Sequence, residues 1–321
     1  MSPLPTIQLF FCPLDTNLLD EKTVSIVRSW LSDAEINKVD RFIQHAAQQQ
    51  GLMVRGYLRS VLSSFVNIEP DEWQFEYGEK GKPRLSAVQY KQTGLQFNLS
   101  HSGNWLLIGV IHSKEDASMP IQLGVDIERR RESTNIHSIL HHYFSKPEEA
   151  ALLVLPESQQ RERFFDLWAL KESFIKATGL GLSLSLKAFS FDLENIVWQW
   201  LAINQQEATN PIEASVTDKQ YFQISSQVTL QINRHLLDNN NTYHSQLKCS
   251  DESHWRCFLG RLDEEYRFAM SVYFQHQGTI NDAAVLPNEC SERSHSYHGA
   301  QPAPVTAKFI DWSNIFLQQR R

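Results

Sequence analysis

At 321 residues, 41% of them hydrophobic, the chain has enough apolar material for one large core or two ordinary ones. Two units are expected, because domains cluster near about 100 to 150 residues. Its 30 Lys and Arg against 37 Asp and Glu give a formal net charge of -7, which excludes a general attraction to nucleic acid or to an anionic membrane.

The first strand is expected over residues 7–12, an aromatic and β-branched run closed by Pro13. From about 20 to 50 the period turns helical, with Ile26, Trp30 and Ile36 as apolar positions and Ser32 followed by Glu35 as a capping-box signal. A second helix is predicted over 52–65, where Arg55 and Arg59 lie one turn apart, either as a solvated face or as a pair turned toward phosphate. After a strand at 73–77, residues 78–85 form a loop in which Pro83 fixes its own φ and restricts Lys82, presenting an ammonium at a defined place. Strands at 95–99 and 105–111 flank a tight corner at Ser100-His101-Ser102-Gly103.

The polar stretch 112–120 is the expected boundary between two lobes, because strand patterning restarts at 121 and runs to 127. A helix start is expected at Pro147-Glu148-Glu149 after Ser145, and an amphipathic helix over 161–178 stopped by Gly179 and Gly181. Strands follow at 184–192 and 198–203; residues 221–232 have strand character within a polar stretch, 204–252, that reads as an insertion. Residues 255–259 and 266–273 make a hairpin. Beyond Phe274 the composition is that of a polar tail, with Phe309, Trp312, Ile315, Phe316 and Leu317 as a last amphipathic segment able to dock back. The expected divisions are therefore 1–118, 119–275 and 276–321. Cys12, Cys249, Cys257 and Cys290 are too scattered for a disulfide scaffold, and the N-terminal residues carry no export or spanning signal, so the cytoplasm is the expected compartment.

Two groups of residues point to chemistry. Asp126 and Glu128 are separated by one residue on a strand, so both leave the same face about 7 Å apart while Val125 and Ile127 face a core. Such a pair repels itself unless solvent, Arg129 to Arg131 or a cation offsets the charge. On the later helix Trp168, Glu172 and Lys176 share one stripe; Glu172 and Lys176 read either as a surface ion pair or as a carboxylate beside the strand end with a phosphate donor one turn on. Oxygen-only ligands favour a hard ion such as Mg²⁺.

Taken in order, Gly81-Lys82-Pro83, Phe97-Asn98-Leu99-Ser100-His101-Ser102, Gly124-Val125-Asp126-Ile127-Glu128 and Trp168-Ala169-Leu170-Lys171-Glu172-Ser173-Phe174-Ile175-Lys176 resemble the 4'-phosphopantetheinyl transferases of the surfactin-synthetase-activating type. The resemblance implies an α+β pseudo-dimer of two similar lobes, each an antiparallel sheet with packed helices, binding coenzyme A between them. It also implies transfer of phosphopantetheine to a serine of an apo carrier protein, with release of adenosine 3',5'-bisphosphate. On that basis Asp126, Glu128 and Glu172 hold Mg²⁺, and Asp126, Glu172 and Lys176 are catalytic, Glu172 taking the serine proton directly or through water. Arg55, Lys82, Pro83, Ser100, His101 and Lys176 bind coenzyme A. A monomer is expected, with neither nucleic acid nor membrane as partner. The rival readings are a Mg²⁺-dependent coenzyme A phosphohydrolase and a noncatalytic carrier-binding module.

Overall fold

Two extended capping residues divide the N-terminal helical run into separate pieces. The computed structural model describes residues 5–113, 121–205, 221–237, 247, 252–274, 304–313 and 315. In it, α1 (Glu21–Ser29) opens on a capping box between Asp20 and Thr23, and α2 (Asp33–Asp40) on the expected box between Ser32 and Glu35. Each cap is held outside helical φ/ψ, so a helix cannot run through it. A second break falls at Gln44, also extended, so α3 (His45–Ser63) starts before residue 52 and the single helix expected over 20–50 is three.

The strands that follow are β1 (Ile7–Pro13) at the start of the chain, a short hairpin of β2 (Phe75–Tyr77) and β3 (Pro83–Leu85), then β4 (Leu95–Ser102), β5 (Trp105–His112) and β6 (Ile121–Arg129). Between β3 and β4 lies α4 (Ala87–Thr93), which the sequence reading missed. Ser100, His101 and Ser102 belong to β4 and not to a corner; the turn is Gly103-Asn104, with Gly103 at φ +56°. After β6 come α5 (Ile136–Tyr143), α6 (Lys146–Leu153) and α7 (Glu157–Thr178), and then β7 (Phe189–Asp192), β8 (Gln199–Gln205), β9 (Tyr221–Ser225), β10 (Thr229–Ile232), β11 (Trp255–Arg261), β12 (Tyr266–Phe274) and β13 (Val305–Phe309).

The α+β class holds. Nine strands form one sheet in the order β4-β5-β1-β13-β8-β9-β11-β12-β6, where separate antiparallel sheets were expected. The cause is β13: it pairs in parallel with both β1 and β8 and joins what would otherwise be two free edges. Of the segment expected as a polar tail, the described residues 304–313 and 315 join the body, and the amphipathic run docks back as expected, with Ala307, Phe309, Ile310, Trp312 and Ile315 buried. Phe316 and Leu317 lie outside the described residues. Trp312 packs edge-on against Tyr57 of α3.

Strand alternation sorts the apolar residues into layers. Leu9, Phe11, Val125, Ile127, Phe222 and Phe268 share an inner core, in which the Phe11, Phe222 and Phe268 rings meet pairwise although β1, β9 and β12 are not neighbours in the sheet. The sheet must curl to bring them together. Phe10, Cys12 and Leu106 face α1 and α3, while Leu259 and Ala269 face α7. Among the described residues no helix is long and apolar enough to cross a membrane.

Candidate active site

Curling brings the two outer strands, β4 and β6, side by side, and their junction is built by side chains. Every second residue of β4 reaches across: Asn98 Oδ1 accepts from the Val125 backbone N at 2.8 Å, Ser100 Oγ donates to Asp126 Oδ1 at 2.8 Å, and Ser102 Oγ donates to Glu128 Oε2 at 3.0 Å. Ser102 also accepts from the Arg129 backbone N at 3.1 Å. The period of two that places Asp126 and Glu128 on one face thus has a matching period in Asn98, Ser100 and Ser102. Asn98 and Ser102 were not singled out from the sequence, although their alternation along β4 was the available signal.

α7 supplies the remaining groups, and Gly124 lets it approach. A Cβ at Gly124 would lie 2.8 Å from Ala177 Cα and closer still to Ser173 O and Ala177 N, so only glycine allows this helix-to-strand spacing. The contact is pinned by a buried hydrogen bond of 2.8 Å between Ser173 and Ser271 hydroxyls. At this depth Lys176 Nζ donates to Asp126 Oδ1 and to Ser100 Oγ, both at 2.7 Å. Neighbouring Lys171 points elsewhere: fully buried, it pairs with Glu148 at 2.8 Å and donates to the Leu186 and Phe189 carbonyls, anchoring α7 from behind.

The charges act on one another. Burial, then the Asp126 charge, raises the Glu128 carboxyl to about 7, with Glu172 adding to the rise and Ser102 and Lys176 opposing it. Burial and then Asp126 also raise Glu172, while Lys176 lowers it. The cation acting on these acids is Lys176. Arg129 instead pairs with Glu265 at 3.1 Å near the surface. His101 is exposed, yet partial desolvation and then the Lys176 charge hold its pKa down.

Two cavities flank this cluster. One, of about 830 Å³, is lined by Lys80, Lys82, Pro83, Phe97, Leu123 and Ala177; the other, of about 660 Å³, by His101, Ser102, Glu128, Arg131, Phe164 and Trp168. The expected positions distribute unevenly between them. Pro83 lines the first and His101 the second, Ser100 sits within the carboxylate–lysine network, and Lys82 turns its ammonium onto backbone carbonyls of Leu123 and Ala177. Arg55 lines neither cavity and donates to the Gly51 carbonyl of its own helix. Arg59 is not a phosphate-facing partner for it: buried, it pairs with Glu35 at 2.6 Å and donates to Trp30 O.

The fit to a hard cation is one of chemistry and charge. Asp126 Oδ2 is buried with no hydrogen-bond partner, an arrangement costly for an acceptor unless a positive group meets it. Glu128 and Glu172, both oxygen donors, resist ionisation beside it. Among the described residues no three His, Cys, Asp or Glu side chains converge into a finished metal centre. Mg²⁺ does not require one, because it keeps several waters and binds through one or two carboxylates plus substrate phosphates.

Comparison with known proteins places the chain by its sequence. Residues 122–232 match the 4'-phosphopantetheinyl transferase superfamily, and residues 20–113 match the family described as 4'-phosphopantetheinyl transferase, N-terminal. The 4'-phosphopantetheinyl transferase HetI of Nostoc sp. is 32% identical over 177 residues, covering 55% of this chain and 70% of the relative. Two Bacillus subtilis proteins named 4'-phosphopantetheinyl transferase, ffp and Sfp, are each 33% identical, over 180 and 165 residues. These alignments cover 56% and 51% of this chain, and 74% and 67% of the relatives.

Proposed function

The chain belongs to the 4'-phosphopantetheinyl transferase superfamily and moves 4'-phosphopantetheine from coenzyme A to a carrier protein; on that premise we propose that Asp126, Glu128, Glu172 and Lys176 form its reaction centre. The observation that carries this reading is the buried Asp126 carboxylate, with one oxygen held by Ser100 and Lys176 and the other partnerless, between two cavities. The chain is of the surfactin-synthetase-activating type, acting as a monomer in the cytoplasm. Residues 1–118 and 119–275 are two related lobes meeting at the β4–β6 junction, and β13, from 276–321, joins them again between β1 and β8.

Asp126, Glu128 and Glu172 would hold Mg²⁺, which supplies positive charge to the phosphate oxygens of the donor. The carrier serine Oγ forms a bond to the phosphorus that bears pantetheine. The bond from that phosphorus to the nucleotide's phosphate oxygen breaks, and adenosine 3',5'-bisphosphate departs with the bonding electrons. Glu172 receives the serine proton; burial and the neighbouring Asp126 make it a stronger base than an ordinary glutamate. Lys176, fixed by Asp126 and Ser100, faces the charge that develops on the leaving oxygen, where a pre-oriented ammonium acts on the transition state more than on binding.

The nucleotide end of coenzyme A occupies the larger cavity against Pro83, and His101 meets its phosphates. Arg55 is a phosphate ligand only if its side chain leaves Gly51. Arg129 to Arg131 offer an acidic carrier a basic surface beside the second cavity. Incubation with coenzyme A, Mg²⁺ and an apo carrier tests the whole: the intact carrier gains the mass of one phosphopantetheine. Release of adenosine bisphosphate with no gain in carrier mass would refute the assignment.

A further inference from the structure

We propose that Lys82 is a fastener joining the two walls of the larger cavity, acting on donor binding through the backbone it grips and not through phosphate. The proposal rests on the reading that this cavity takes the nucleotide end of coenzyme A. It departs from a ligand role for the lysine.

The β2–β3 hairpin forms one wall and is weakly built. Its ladder is three residue pairs long, and its tip is tied internally by two bonds, Gly78 N to Lys82 O at 2.9 Å and Gly81 N to Gly78 O at 2.8 Å. The Arg84–Glu76 pair along it is exposed and contributes little. A hairpin this short is marginal without an outside attachment.

The strands have theirs, with Phe75 packed on Phe97 and beneath the Arg59 guanidinium, Lys38 over Tyr77 and Leu85 buried; Lys82 attaches the tip. From the tip its Nζ donates to Leu123 O of β6 at 2.9 Å and to Ala177 O in the last turn of α7 at 3.1 Å. The second acceptor is one of the carbonyls a helix leaves unpaired at its end, where a cation is also favoured by the helix dipole. These are the two elements that carry the carboxylates, so one side chain ties the hairpin directly to the reaction centre. Gly179, at φ +71°, ends α7 in the left-handed conformation directly after this last turn.

The electrostatics agree with a backbone role. Burial alone pushes the Lys82 pKa down, and no carboxylate raises it. Two of the three ammonium donors are committed to carbonyls, so the position of the side chain is set by the backbone of β6 and α7.

Lys82→Met keeps the aliphatic stem and removes the donors; Lys82→Arg restores donors. Hydrogen exchange of the ligand-free protein should show the peptide spanning 75–85 exchanging about tenfold faster in Lys82→Met, with Lys82→Arg recovering most of the protection. KM should rise about tenfold for coenzyme A and equally for 3'-dephospho-coenzyme A, more than kcat falls. A hairpin that exchanges at the wild-type rate in Lys82→Met overturns the proposal, as does a loss confined to coenzyme A. The exchange measurement needs no donor, so it stands apart from failure of the coenzyme A reading, which would show as no carrier mass gain with the unmodified enzyme.

Discussion

Gly124→Ala tests the spacing on which the reaction centre depends. The added methyl would sit 2.8 Å from Ala177 Cα and nearer to Ser173 O, whereas ordinary contacts begin at 3.4 Å. All of the opposing atoms are helix backbone, so no side chain can swing away. α7 must therefore withdraw by about 1 Å, and overpacking of this kind costs about 1 to 3 kcal/mol. The withdrawal pulls on the Ser173–Ser271 bond and carries Glu172 and Lys176 away from Asp126. A displacement of that size at a reacting centre lowers turnover by about a hundredfold. Urea unfolding and carrier mass gain under saturating coenzyme A measure the two effects. A variant with the wild-type midpoint and turnover within about twofold would show that the helix does not need this approach.

Asp126→Ala and Glu172→Ala should each lower transfer by at least about a hundredfold while the protein stays folded, read by intact mass and circular dichroism; wild-type rates at saturating Mg²⁺ would remove both from the centre. Lys176→Ala should reduce kcat more than it weakens coenzyme A binding, because the ammonium is placed for developing charge; a change in Kd alone would reject that role. Burial lowers Lys82 from its usual 10.5 to about 8, so between those pH values the unfolded chain binds more protons than the folded one. This contribution is present above pH 10.5 and is lost as pH falls through about 8. Stability should accordingly rise with pH across that window, and the rise should be absent in Lys82→Met; identical slopes in urea titrations would contradict it. Cys12 and Cys257, fully buried and raised by burial, the latter to about 12, should resist alkylation until the protein unfolds, as mass spectrometry of iodoacetamide-treated protein would show.

Local periodicity made much of the site legible. The alternation Val125-Asp126-Ile127-Glu128 forecast two acids on one strand face, and the four-residue spacing of Glu172 and Lys176 forecast one helix stripe, because both repeats are fixed by backbone geometry alone. The Ser32–Glu35 capping box was equally legible, since its partners lie within one turn. Arg55 and Arg59 show where such reasoning stops: the same helical spacing leaves one half-buried and bonds the other to Glu35, and burial against α2 decides which.

The amino-acid sequence by itself determined which residues can share a face, where α2 opens and α7 stops, and that two acids stand together on one strand. Tertiary structure alone decided that Ser100 and Ser102 serve those carboxylates from a strand 26 residues away, that β13 seals the sheet between β1 and β8, and that Lys82 spends its ammonium on two distant carbonyls. The difference is physical: facing is set by the repeat of the backbone, whereas partnership across a junction is set by strand register, curl and burial, which depend on every element packed around it.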